Sequence, residues 1–90
     1  MNTLLVTYQL DNSNETYVLI RDRLKEFPNW AKPFPKVWII RTSYSAGKVR
    51  NLLSSVISEK GAIIVINITD CNWATFKIDD DILAWMKENI

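Results

Sequence analysis

The chain has 90 residues, a net charge of +1 and 48% hydrophobic residues, four of them Trp; a length of this order makes one domain, here residues 1–90, with a small core. It contains no His, which excludes Ser-His and Cys-His nucleophiles and a His-ligated zinc, and only one Cys, Cys71, which excludes an intrachain disulfide. The longest apolar run, Ala62 to Ile66, is far too short to cross a membrane.

Leu4, Val6, Tyr8 and Leu10 alternate with Thr3, Leu5, Thr7 and Gln9, the pattern of a strand with one strongly apolar face and one mixed face. The polar stretch Asp11-Asn12-Ser13-Asn14 supplies an N-cap, Ser13 or Asn14, for a helix whose stripe is Tyr17, Ile20, Leu24 and Phe27. Arg21, Asp22, Lys25 and Glu26 fall on its outer face, and Pro28 stops it, because a residue before proline disfavours the helical region. Pro33 and Pro35 cannot donate ladder hydrogen bonds, so residues 29–36 form a short edge strand or a turn. Lys36 to Thr42 is the next strand, apolar on both faces in its middle.

Ser45 is placed to cap a helix carrying Val49, Leu52, Leu53, Val56 and Ile57, the clearest amphipathic pattern in the chain. Gly61 is expected to close that helix in a left-handed cap. Ala62 to Ile68 is a β-branched strand, Thr69-Asp70-Cys71-Asn72 a turn, and Trp73 to Phe76 a short edge strand. Asp79 or Asp80 opens a last helix with Ile82, Leu83, Trp85 and Met86 on its packing side.

A hairpin between two strand–helix units is the split βαβ arrangement, so the expected fold is an α+β, ferredoxin-like two-layer sandwich with an added C-terminal helix. Its helices cover one face of an antiparallel sheet and leave the other bare. Leu5, Ile40 or Ile39, and the 62–68 strand with Ile64 and Ile66 would place apolar side chains there, with Trp73 beside them. Apolar surface of that extent marks an interface, and a two-fold homodimer is the economical expectation. The alternative is that the C-terminal helix folds over the open face of its own sheet.

Charge is unevenly distributed: residues 1–60 hold nine Lys or Arg against five Asp or Glu, and residues 61–90 hold two against five. Arg21, Arg23, Lys25, Lys32, Lys36 and Arg41 form a candidate nucleic-acid patch, or else an ordinary solvated face. Trp30, Phe34, Trp38 and Trp73 would stack bases beside Lys32 and Lys36, or serve as core and interface packing. Asp79-Asp80-Asp81 reads as a helix N-terminus rather than a cation site, since its spacing matches no calcium loop. Ser43-Tyr44-Ser45-Ala46-Gly47-Lys48 lacks the frame of a phosphate loop, and its serines read as caps. The opening residues lack a basic segment followed by a long apolar one, so no secretory leader is expected, and the lone Cys fits a cytoplasmic location.

Several segments taken in order resemble small bacterial proteins related to CRISPR-associated protein 2, closest to the stand-alone, SinR-like branch. They are Asn2 to Tyr8, Asn29-Trp30, Val37 to Ser43 with Ser45-Ala46 behind it, Ile63 to Ile68, Asn72-Trp73 and the closing Trp85 helix. The resemblance implies a ferredoxin-like fold and a homodimer. It further implies that the residue after the first strand's Tyr lies near the dimer axis. In relatives that residue is an Asp associated with metal-dependent phosphodiester cleavage, while other relatives act as scaffolds that hold DNA beside an integrase. Here the position is Gln9, whose neutral amide is a poorer Mg²⁺ ligand than a carboxylate. The resulting expectation is a non-catalytic homodimer that binds nucleic acid or acts as a scaffold, with no cofactor. A toxin-like, Mg²⁺-dependent nuclease is the alternative, with Asp11 standing in for the missing acid; a regulatory or small-ligand domain is the second.

Overall fold

Alternation along the first strand sets the frame of the molecule. The computed structural model describes residues 1–10, 14–57 and 61–90. Strand β1 (Asn2–Gln9) is followed by helix α1 (Asn14–Lys25), β2 (Trp30–Phe34), β3 (Val37–Thr42), α2 (Ala46–Ser54), β4 (Ala62–Asn67) and α3 (Asp80–Asn89). Among the described residues the fold is α+β: one four-stranded antiparallel sheet in the order β2-β3-β1-β4, with three helices. Because β1 is antiparallel to both β3 and β4, and β3 to β2, each of the helices α1 and α2 joins two parallel strands with one strand between them.

Register assigns the paired residues of β1, β3 and β4 to a face. Leu4 pairs with Ile40 and Asn67, Val6 with Trp38 and Val65, and Tyr8 with Ile63. This first face meets α1 and α2, and the core is Leu4, Val6, Tyr8, Ile20, Leu24, Trp38, Ile40, Val49 and Leu53. Phe27, Trp30, Val56, Ile57, Ile63 and Val65 pack around it, half-buried. Ile20 and Leu24 lie one turn apart on α1 and are fully buried, as a four-residue step on a helix requires. Two three-residue turns, Glu26 N to Arg23 O and Phe27 N to Leu24 O, close the helix just before Pro28.

The α2 helix starts as its sequence dictates, with Ser45 Oγ accepting the Lys48 backbone N–H at 3.1 Å. It does not run to Gly61. It ends at Ser54 with Ser55 as C-cap. Ser54 and Ser55 donate their hydroxyls back to the Asn51 and Leu52 carbonyls, the local competition that makes serine a poor helix continuer. Val56 and Ile57 therefore pack from the turn beyond the helix. The Thr69–Asp70 turn forms with Asp70 at φ 57° and a Cys71 N to Ile68 O hydrogen bond of 3.1 Å. No strand follows it: Trp73 to Phe76 is irregular, so the expected fifth strand is absent. That segment is instead the approach to α3.

The second face carries Thr3, Leu5, Thr7 and Gln9 of β1, opposite Arg41, Ile39 and Val37 on one side and Ile66, Ile64 and Ala62 on the other. Two expectations change here. Ile40 belongs to the first-face core and is fully buried, so it is not an interface residue; Ile39 is the residue on the second face. Nor is that face bare, because α3 lies over its β2–β3 half. Polar pins fix it there. Arg41 Nη1 donates to the Asn89 carbonyl at 2.7 Å and to Thr3 Oγ1 at 2.8 Å, and the Thr3 hydroxyl donates to the same carbonyl. Trp85 Nε1 donates to Asn29 Oδ1 at 2.6 Å, and Asn29 Nδ2 to Asn89 Oδ1 at 2.8 Å. A cation on the last helical carbonyls also meets the negative end of the helix dipole. Beneath α3, Ala31 and Ile39 are buried. The β4 half stays open, with Ile64 57% and Ile66 50% exposed.

Leu24→Ala should lower unfolding free energy by about 2–5 kcal/mol in urea titration, as removal of a fully buried leucine does. Arg41→Ala should raise amide hydrogen exchange in α3 selectively while protection of β1 and β3 is retained, because the pins hold the helix and not the sheet.

Candidate functional site

Gln9 ends β1, is exposed, and pairs with Ala62 of β4. Its carboxamide therefore stands on the second face at the corner of the uncovered half, next to Thr7 opposite Ile64. Asp11, the substitute acid, lies outside the described residues. Among the described residues no group of three His, Cys, Asp or Glu side chains is placed to hold a metal ion. At this corner the described chemistry is one neutral amide, which offers a single carbonyl oxygen to a cation and a donor pair to an anion.

The other interface candidates separate. Leu5 is half-buried between Ile39 and Ile66, bridging the covered and the open halves. Trp73 is half-buried in the irregular segment. Phe34 and Phe76 are exposed and border an apolar recess of about 290 Å³ whose other walls include Leu5, Val37, Ile39 and Met86. Lys77, at φ 58°, follows Phe76, and its ammonium lies 5.3 Å from that ring's centroid.

The six basic candidates do not form one patch. Arg41 is spent on α3, on the second face. Arg21 pairs with its neighbour Asp22 at 3.3 Å, an exposed contact of little energetic weight. Arg23 and Lys25 are exposed on α1, and Lys36 is exposed in the β2–β3 turn. Lys32 is held on the first-face side, where its Nζ donates to Tyr17 Oη at 3.3 Å and lies 4.9 Å from the Trp38 ring centroid and 5.6 Å from that of Tyr17.

Around Lys32 the structure assembles a cluster that no sequence spacing announced. Trp38 Nε1, fully buried, donates to Tyr8 Oη at 3.1 Å, and Trp30 packs on Trp38 with centroids 5.0 Å apart. Trp38 is thus core and cannot stack a base. Burial pushes the Tyr8 hydroxyl above the ordinary tyrosine value; the Trp38 hydrogen bond works against that rise, and the neighbouring Tyr17 adds to it. Tyr8 and Trp38 sit on adjacent strands, two residues out of register, so only strand pairing brings them together.

Two remaining motifs take the structural roles their sequences suggest. Asp80 and Asp81 occupy the first turn of α3, where carboxylates meet the positive dipole end, although Asp79 makes no side-chain cap bond. Ser45 is the α2 cap, and Lys48 sits over the Tyr44 ring at 4.2 Å. Cys71 is free and exposed. No helix among the described residues is long and apolar enough to cross a membrane.

The chain matches no family model, and no curated protein or solved structure resembles it significantly.

The raised Tyr8 value fixes the sign of a pH effect. The folded state keeps this proton where the unfolded chain has lost it, so stability is full below the unfolded value and falls as pH rises towards the folded one. Urea midpoints should therefore drop above about pH 10 in the wild type. Tyr8→Phe should be less stable at neutral pH, because the Trp38 indole N–H loses its acceptor, but should show a shallower alkaline decline.

Proposed function

We propose that this chain is a ferredoxin-like, non-catalytic homodimeric module related to CRISPR-associated protein 2, of the stand-alone, SinR-like kind, that associates with nucleic acid or serves as a scaffold. The strand order β2-β3-β1-β4, with two crossover helices each skipping one strand, supports the ferredoxin-like part. The observation that carries the self-association is the open half of the second face. There Ile64 and Ile66 face solvent beside Leu5, next to the step made by the Phe76 segment and α3. A shelf next to a step is self-complementary under a two-fold axis, since the step of one copy can sit on the shelf of the other. The β4 edge strand, Ala62–Asn67, carries no charge and no proline, the features that usually keep an edge unpaired. The opposite edge, β2, has both Lys32 and Pro33.

Gln9 at the corner of that shelf supports the non-catalytic part. A two-fold pair of amides brings no charge to a divalent ion, so the charge neutralisation needed for phosphodiester cleavage has no source at this position. The nuclease reading instead needs the Asp11 carboxylate.

Sedimentation equilibrium should give a dimer for the wild type. Ile64→Lys/Ile66→Lys should give a folded monomer, since both side chains are half exposed or more in the single protomer, with a melting temperature lowered only by the stability that association contributed. A wild type that stays monomeric at its highest soluble concentration rules self-association out. Incubation with RNA or DNA and Mg²⁺ should give no cleavage. Cutting that EDTA stops and Asp11→Asn abolishes would replace this reading with the nuclease one.

A further inference from the structure

A second recess lies away from the open half-face and shares no residue with it. It is a cleft of about 430 Å³ at the end of the molecule where α1 stops, β3 runs out and α2 passes. Phe27, Tyr44, Leu52 and Leu53 make its apolar wall, and Phe27 and Tyr44 meet edge to face at 6.3 Å. Tyr44 and Leu52 are each 38% exposed.

The charge around this wall is one-sided. From residue 27 to residue 58 the chain has five Lys or Arg and no Asp or Glu. Arg23 lines the cleft from the last turn of α1, and Lys48 stands over the ring of Tyr44, one of the residues of the lining. Neither has an acidic partner among the described residues. Arg41 also lines the cleft, but its Nη1 is bound to Thr3 and Asn89. The Ser43 hydroxyl adds a polar group, and Glu26 is the one acid on the lining. Arg23, Lys48 and Arg41, whose charge its neutral partners leave in place, stand against one carboxylate over an apolar wall, and this suits a ligand with an anionic head and a flat body.

We propose that this cleft binds a nucleoside monophosphate group, with its phosphate between Arg23 and Lys48 and its ring system against Phe27, Tyr44 and Leu52. The group belongs either to a free nucleotide or to the phosphorylated end of a strand. The site goes beyond the reading above and holds for a monomer or a dimer.

Calorimetric titration tests it with AMP, adenosine, inorganic phosphate and a short single strand carrying a terminal phosphate. AMP should bind saturably, and adenosine and phosphate each at least roughly tenfold more weakly, since each lacks half of the contacts. Arg23→Gln and Lys48→Gln should each weaken AMP binding by roughly tenfold, the usual worth of a charge-assisted hydrogen bond, with melting unchanged because both side chains are exposed. Lys87→Gln, on α3, should leave binding unaltered. Tighter binding of the phosphorylated strand, competed by AMP, assigns the site to strand ends; equal or weaker binding assigns it to the free nucleotide. Unsaturable AMP binding, equal affinity for adenosine, or an Arg23→Gln protein that binds as the wild type does would overturn the proposal. The Ile64→Lys/Ile66→Lys protein should bind AMP normally, so a failure of self-association is distinguishable from a failure of the cleft.

Discussion

The interaction on which the surface of this protein depends is the grip of Arg41 and Thr3 on the last carbonyl of α3. A small antiparallel sheet with two helices on one face leaves its other face to water unless something lies on it. Here that something is ten residues of helix with no fully buried side chain of their own. Apolar contact alone is a weak and non-directional hold for such a helix. A half-buried guanidinium shared between a hydroxyl and a helix-terminal carbonyl is directional, and Asn29 adds a second anchor through Trp85 and Asn89. These bonds set where the helix stops, over β2 and β3. They thereby decide that Ile39 is dry while Ile64 and Ile66 are wet.

The opposite face follows simpler rules. Leu4, Val6, Tyr8, Trp38 and Ile40 meet Ile20, Leu24, Val49 and Leu53, and apolar burial is ample to account for the layer. Within this core the indole of Trp38 and the phenol of Tyr8 form a polar pair. Both rings bury large apolar bodies, and each answers the other's polar atom, so neither leaves a buried group unpaired. Lys32 closes this cluster from outside by lying over the Trp38 and Tyr17 rings, which couples the edge strand β2 to α1. A lysine that reads in sequence as part of a basic patch thus spends its charge on packing the two layers together.

The same redistribution runs through the candidate site. Gln9 is where the strand pattern places it, exposed on the second face, because strand alternation alone fixes the side on which residue 9 emerges. Ile40 and Ile39 were indistinguishable in a strand apolar on both sides; only the Leu4–Ile40 pairing separates them. The cleft below Tyr44 draws on α1, β3 and α2, segments separated by tens of residues. Its cations lie in no common motif, and its shape exists only once the layers are packed.

By itself, the sequence determined the elements whose signals are local: the alternation of β1, the Ser45 cap, the buried pair on α1, the prolines that confine β2 to an edge, and the excess of cations over the middle third. Each of these is set by neighbours within a few positions, where backbone geometry and periodicity act. Tertiary structure decided the loss of a strand at Trp73 to Phe76, the course of α3 and the half of the sheet left open. Those outcomes depend on contacts such as Arg41 with Asn89 and Asn29 with Trp85, 48 and 56 residues apart in the chain. No local preference encodes a partner at that separation, so hydrogen-bond geometry in the folded layers made the choice.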